Sequence, residues 1–355
     1  MIEPMYKFLR PLFFRLDPET AHHLTLQLMR IGGFQPIYAI LQILNSVPKK
    51  PVHAFGLKFR NPVGLAAGYD KDGIAMRGLA ALGFGHIEIG TVTPLPQLGN
   101  PLPRVFRLPE DEAVINRMGF PSRGAEFVQM QLNPRLKARF MERARPRSRP
   151  TLPAILGINL GKNKDTLNEE AVLDYLALLQ NFAPYADYLT INVSSPNTAG
   201  LRRLQGREAL LGLLTPLHQQ CLLEQVPLKR QLPLLVKIAP DLTDDELDDV
   251  VDVVLQTHMD GIIATNTTLA RPGLQSTHRD ENGGLSGAPL RQGSEAILQK
   301  VVKRVGGRIP IVSAGGIMGP DDAKRRLDMG ATLVQVYTGL IYRGPGLVKA
   351  IVRSL

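Results

Sequence analysis

The chain has 355 residues, 44% of them hydrophobic, with one cysteine and a formal net charge of +10 at neutral pH. That length buries a large core, and a lone cysteine excludes a disulfide framework and a thiolate metal cluster, which suits a reducing compartment. The positive charge points to nucleic acid, an anionic membrane surface or anionic ligands. The absence of zinc-finger spacing and of an RNP-like aromatic strand argues against nucleic acid.

Residues 1–47 show no cleavable signal pattern, and no run of about 18 apolar residues occurs anywhere to span a bilayer. Met5, Phe8, Leu9, Leu12, Phe13 and Leu16 follow helical spacing, leaving Lys7, Arg10 and Arg15 on other faces. Pro11 is expected to weaken that helix or to start a second one. A further helix is expected from Asp17 as N-cap and Pro18 as first helical residue, ending at Gly32 and Gly33. Ala21, Leu24, Leu28 and Ile31 then share a face. A third apolar stretch covers 34–44. Such helices either pack on a core or lie on a membrane, apolar face down; the segment alone leaves both readings open. Cys221, in a leucine-rich stretch, reads as a small buried hydrophobe. Residues 135–149, dominated by arginine, read as an exposed basic insertion, either a solvated face or a contact for anionic lipid.

From about Val52 short apolar runs alternate with helical patterns, a rhythm that implies a parallel sheet. Eight strands are expected at 63–67, 86–92, 154–160, 188–193, 234–239, 261–266, 309–314 and 332–337. Eight such units suggest a (β/α)8 barrel, an α/β fold. No GxGxxG follows the first strand, which argues against a dinucleotide-binding half. Polar residues gather at the strand ends that meet on one face of a barrel: Lys71, Thr91, Asn159, Asn192 and Ser195, Lys237, Asn266 and Thr267, Gly315 and Gly316, Tyr337 and Thr338.

The loops after strands seven and eight carry SAGGI (313–317) and QVYTG (335–339), a pattern suited to phosphate. Lys237 sits between apolar neighbours, where a cation needs a charge or a cavity. It suits the anionic edge of a reduced flavin; a rim lysine and a Schiff-base lysine are the other readings. Asn116, Asn159, Asn192, Asn197 and Asn266 offer donors and acceptors to a ring with alternating amide groups. Histidine and carboxylates show no metal-ligand spacing, so no metal is expected. Ser195, in NVSSPNT, has no histidine beside it. It either caps the turn before Pro196 or acts as a base that passes its own proton on, with Thr198 as a relay.

AAGYDKDG (66–73), EIGTVTP (88–94), NRMGF (116–120), GINLGKN (157–163), NVSSPNT (192–198), VKIAPDLT (236–243), ATNTT (264–268), GGLSG (283–287), SAGGI and QVYTG stand in the order found in dihydroorotate dehydrogenases. The resemblance covers nearly the whole chain. Serine in NVSSPNT and the segment with LDPETAH (16–22) resemble the class 2, quinone-dependent, membrane-associated members. The resemblance implies oxidation of dihydroorotate to orotate in pyrimidine synthesis, with FMN as hydride acceptor and a membrane quinone as final acceptor. It implies Ser195 as the base. It implies FMN contacts from Ala67, Gly68, Lys71, Thr91, Asn159, Asn192, Lys237, Thr265, Gly287, Gly316, Tyr337 and Thr338. Substrate contacts would come from Lys71, Asn116, Arg117, Met118, Gly119, Phe120, Asn192, Asn197, Asn266 and Thr267.

Residues 1–47 would form a tunnel from membrane to flavin, with His22 and Arg107 at the quinone head, and 48–355 the FMN-binding barrel. The implied protein is a monomer, peripheral at the cytoplasmic face of a bacterial inner membrane. Two departures stand out. Residues 133–150 are longer than in bacterial members, and Tyr69 replaces a smaller apolar residue, its hydroxyl near the flavin edge.

Overall fold

Eight parallel strands close into one barrel, each hydrogen-bonded to its neighbours in chain order: Val63–Leu65, His86–Val92, Ile155–Leu160, Tyr188–Asn192, Leu234–Ile238, Gly261–Ala264, Ile311–Ala314 and Leu333–Val336. They are called here barrel strands one to eight. The computed structural model describes residues 2–133 and 152–355; the expected basic insertion lies almost wholly outside the described residues. All eight expected strands are present, most of them shortened by one or two residues. Nearly every strand residue is buried. A parallel sheet covered by helices has no solvent face, so its strands read as continuous apolar runs.

Helices cover the outside. The one at Asp244–Gln256 starts at a capping box, in which the Thr243 hydroxyl accepts from the Glu246 N–H and the Glu246 carboxylate accepts from the Thr243 N–H. Cys221 is buried in the helix Arg207–Leu228, and burial pushes its thiol up to about 11. It behaves as the small hydrophobe expected.

Inside the barrel, alternate residues of each strand point inward. The lowest layer holds Tyr188, Leu235, Ile263, Val312 and Leu333. The hairpin Val52–Ala54 and Leu57–Phe59 closes this end, adding Phe55 and Phe59 to the same cluster. One step up, several strands turn polar toward the interior, with Glu88, Thr190, Lys237 and Gln335. Glu88, with no exposed surface, accepts hydrogen bonds from Asn159 Nδ2 (2.8 Å), Tyr188 Oη (3.1 Å), Thr190 Oγ1 (3.1 Å) and Gln335 Nε2 (3.0 Å). The barrel is thus plugged below and polar above. Over its upper end lies a three-stranded antiparallel sheet of Val105–Leu108, Ala113–Asn116 and Gly284–Gly287.

Three helices precede the barrel: Ile2–Arg15, Pro18–Gly32 and Ile37–Leu44. The first runs through Pro11 unbroken. Ties on both sides of the proline hold it on the helix Thr338–Arg343: Tyr6 Oη donates to Ile341 O (2.5 Å), Arg10 Nη1 donates to Tyr342 O (3.1 Å), and Phe14 meets the Tyr342 ring edge-on. The second begins as expected, with the Asp17 carboxylate accepting from the N–H groups of Glu19 and Thr20. Its buried side is Ala21 and Leu26, while Leu24, Leu28 and Ile31 are exposed. Phe8, Leu12, Phe34, Ile37, Ile40 and Ile43 are exposed as well. Among the described residues no helix is long and apolar enough to cross a membrane.

Candidate active site

One cavity opens above the polar layer, enclosing about 1120 Å³ of space that is partly open to solvent. Residues from seven of the eight barrel strand ends, all but that of strand three, and from the covering sheet reach it. Ser195, Lys71, Lys237, Gly315 and Gly316 all line it, as do Ala67, Gly68, Thr91, Asn116, Met118, Gly119, Phe120, Asn192, Asn197, Thr265, Asn266, Thr267, Gly287, Tyr337 and Thr338. The site is therefore assembled from segments as far apart as residues 67 and 338, as the barrel expectation required.

A chain of hydrogen bonds runs across the floor from strand to strand. From Glu88 it passes to Asn159, whose Oδ1 accepts from Thr91 Oγ1 (2.6 Å) and from Asn192 Nδ2 (2.9 Å). Asn192 Oδ1 accepts from Ser194 Oγ (2.9 Å), which accepts from Asn266 Nδ2 (3.0 Å). Each carboxamide is thereby held in one orientation by buried partners. Asn159 does not itself line the cavity; it stands one step behind and orients Thr91 and Asn192. At the rim, Asn197 Nδ2 donates to Asn116 Oδ1 (3.2 Å), and Asn100 Nδ2 donates to Asn197 O (3.1 Å).

Two ammonium groups face the space. Lys237 lies on barrel strand five, two residues beyond Leu235 and so on the same inward side. Burial lowers its pKa, opposed by the Glu88 carboxylate. Its Nζ donates to no described residue, which leaves it for whatever fills the cavity. Lys71 Nζ donates to Gly68 O (2.7 Å). Burial lowers it to about 8, against the pull of Glu19 and Asp72. Its loop is fixed by buried Asp70, which accepts from the N–H groups of Ile74 (2.9 Å) and Ala75 (2.8 Å) and which burial raises to about 6.

Ser195 is buried, and its Oγ accepts from the Asn197 N–H (3.2 Å). Among the described residues no histidine lines the cavity. Thr198 is buried too, but its hydroxyl has no hydrogen-bond partner among the described residues, Ser195 included. At the opposite side, Gly287, Gly315 and Gly316 have φ of 101°, 98° and 73°, a region that favours glycine. A Cβ on Gly316 would lie 2.4 Å from Arg291 Cα. Only a bare backbone fits there. Thr267 Oγ1 and Gln335 Oε1 are buried at the cavity without partners.

Besides Asn159 and Thr198, three expected site residues do not line the cavity. Arg117 donates to Glu281 Oε2 (2.6 Å) and stacks over Phe106. Arg107 spends its donors on the end of the first helix, at Phe13 O (3.0 Å) and Leu16 O, with its guanidinium over Phe14. His22 meets the Tyr69 ring edge-on, 5.1 Å between centroids, and Tyr69 meets Tyr337 at 5.8 Å. Burial, then the nearby Lys71 charge, lowers His22 to about 3, so it is neutral at physiological pH. The Tyr69 hydroxyl lies 3.4 Å from Thr25 Oγ1 on the second helix, and Tyr69 does not line the cavity. These rings connect the N-terminal helices to the cavity wall at Tyr337. The sequence reading missed Ser286 and Gln335, which line the cavity, and Glu88 beneath it. A lone carboxylate inside HIEIGTV was the available signal for Glu88.

The sequence model of the family described as dihydroorotate dehydrogenase matches residues 51–355. The chain belongs to the dihydroorotate dehydrogenase family. Among its curated relatives, a dihydroorotate dehydrogenase (quinone) of Idiomarina loihiensis is 47% identical over 351 residues, covering 99% of this chain and 100% of the relative. That of Halorhodospira halophila is 49% identical over 352 residues, covering 99% and 97%. Among solved structures, the DHODH of Eimeria tenella in complex with ferulenol superposes with a TM-score of 0.84 at 39% identity, covering 97% of this chain and 93% of that one. Family membership and fold agree with the expectation drawn from the ten motifs.

Proposed function

We propose that this chain oxidises dihydroorotate to orotate in pyrimidine synthesis, with FMN in the cavity and a membrane quinone as final electron acceptor. One observation carries the reading: Ser195, Lys71, Lys237 and the Gly315–Gly316 turn converge on one cavity. The name those relatives share, dihydroorotate dehydrogenase (quinone), supplies the reaction.

The residues fit FMN. Lys237 offers a buried cation to the ring edge that becomes anionic on reduction. Gly287, Gly315 and Gly316 offer a bare backbone to the phosphate. Thr265, Tyr337 and Thr338 stand beside them, and Ala67, Gly68 and Thr91 line the wall. The chemistry FMN supplies when bound is acceptance of hydride from substrate C6 and delivery of the electron pair to a quinone.

The substrate is a carboxylate on a ring of alternating amide groups. The Lys71 ammonium balances the carboxylate, while Asn116, Asn192, Asn197, Asn266 and Thr267 present matching donors and acceptors. Phe120 covers the ring and excludes water. Ser195 Oγ takes the C5 proton as hydride leaves C6, so the C5–C6 double bond forms. Its own hydroxyl proton passes outward, with Thr198 as relay once that side chain turns or a water joins them. Ser195 therefore never holds a full alkoxide.

Residues 1–47 form the membrane-facing segment and 48–355 the catalytic barrel. Eleven large apolar side chains between Phe8 and Leu44 are exposed, a surface that suits insertion at the lipid interface. A quinone entering there meets neutral His22, with Arg107 behind the first helix. The protein then sits peripherally at the cytoplasmic face of a bacterial inner membrane, as a monomer.

The test is a spectrum. The purified protein should be yellow, and dihydroorotate added without oxygen should bleach the flavin band. Quinone analogues should reoxidise it faster than fumarate or NAD⁺. A colourless protein, or the opposite acceptor order, refutes the reading.

A further inference from the structure

Arg326 has no exposed surface and lies under the loop that follows barrel strand seven. Its Nη2 donates to Gly315 O (3.0 Å), Arg291 O (3.0 Å) and Ser294 Oγ (2.7 Å). The Ser294 hydroxyl lies within donating distance of the same two carbonyls, 2.8 Å from Gly315 O and 3.0 Å from Arg291 O, and its one proton is shared between them. Two side chains thus grip one glycine carbonyl from behind. Gly315 C=O and Gly316 N–H belong to one planar trans peptide and point in opposite directions. Drawing the carbonyl back toward Arg326 turns the Gly316 N–H toward the cavity that both glycines line. That N–H has no partner among the described residues.

The charge is left over as well. Glu295 Oε1 lies 3.4 Å from Arg326 Nε, but neither Nε nor Nη1 has a hydrogen-bond partner among the described residues. Around this point Arg291, Arg325 and Arg326 face Asp322 and Glu295, one cation in excess. Burial lowers Arg326 to about 10, so it stays charged at neutral pH. Two carboxylates offset part of this buried positive charge, and a further anion at the loop would balance the remainder.

We propose that Arg326 is a positioning residue for the cofactor's phosphomonoester: it fixes the Gly315–Gly316 peptide with its N–H toward the phosphate and places behind the loop the positive charge that the phosphate balances. The proposal rests on the FMN reading above. It touches the phosphate only through the loop, so it predicts an effect confined to flavins that carry one.

The experiment compares FMN with riboflavin, which lacks the phosphate, by quenching of flavin fluorescence in the full-length protein. Arg326→Met should lower the FMN-over-riboflavin preference about tenfold, the equivalent of one charged hydrogen bond, and leave the riboflavin Kd nearly unchanged. Arg326→Lys should retain part of the preference. An unchanged ratio in Arg326→Met, or equal weakening of both flavins, overturns the proposal. If Arg326→Met does not fold, Ser294→Ala decides: a reduced ratio supports the proposal and an unchanged one overturns it. A wild-type protein with no preference for FMN instead refutes the phosphate site, and with it the cofactor reading.

Discussion

Lys71 carries the sharpest pH dependence in the site. Its ammonium, lowered to about 8 by burial, is charged below that pH and neutral above it. Affinity for an anionic substrate should therefore hold from pH 6 to about 8 and fall above it, about tenfold per pH unit once the lysine is neutral. Measured as KM against pH, Lys71→Met should be weak and flat across the range; a wild-type KM that does not rise above pH 8 contradicts the role. His86, at the barrel floor, makes a separate prediction about stability. It is buried between Phe59 and Tyr188, neither ring nitrogen has a partner, and burial lowers it to about 3. Between about pH 3 and its ordinary 6.5 the unfolded chain binds a proton that the folded chain refuses. Stability is thus full above 6.5 and lost as pH falls. At pH 5 the loss from this residue is about 2 kcal/mol. His86→Leu should remove that slope; urea unfolding at pH 8 and pH 5 measures it, and equal slopes in both proteins contradict it.

At the scale of elements, the three N-terminal helices are joined to the barrel by Leu26 and Met29, which pack on its core, and by a few polar ties, and they leave most of their large apolar side chains outward. Besides the Tyr6 and Arg10 bonds, Arg104 grips the Glu19 carboxylate (2.7 Å), with both side chains largely buried. Deleting residues 1–45 should spare reduction of the flavin by dihydroorotate, read with a soluble dye, and abolish reduction of a quinone in vesicles. Circular dichroism checks that the barrel is folded; quinone reduction surviving in a folded truncation contradicts the tunnel. The second helix was legible because its start is a local matter of Asp17 and Pro18. Its outward face was not, since helical spacing shows which residues share a side and never what covers it. Nor was the passage through Pro11, because the ties that hold the helix come from more than 300 residues away. Shorter but still long separations, 91 and 94 residues for Arg107 and 164 for Arg117, hid the partners those arginines take, a helix end and Glu281.

Across the whole molecule, the barrel was legible because burial on both faces makes each strand a plain apolar run. The polar rim was legible because a barrel brings all its strand ends to one face. The polar layer below was not, since Glu88 and Gln335 are single exceptions in apolar strands, joined across 247 residues of chain. That layer matters to the account because it fixes Asn159 and Asn192, and through them the floor on which two reactants must lie. In the function proposed above, this floor presents substrate to the Ser195 hydroxyl as base. Stopped-flow absorbance during anaerobic mixing with dihydroorotate tests it most directly. Ser195→Ala with full flavin content should be reduced about 10²–10⁴ times more slowly than wild type, with Ser195→Cys in between. Reduction of the alanine variant at the wild-type rate contradicts it.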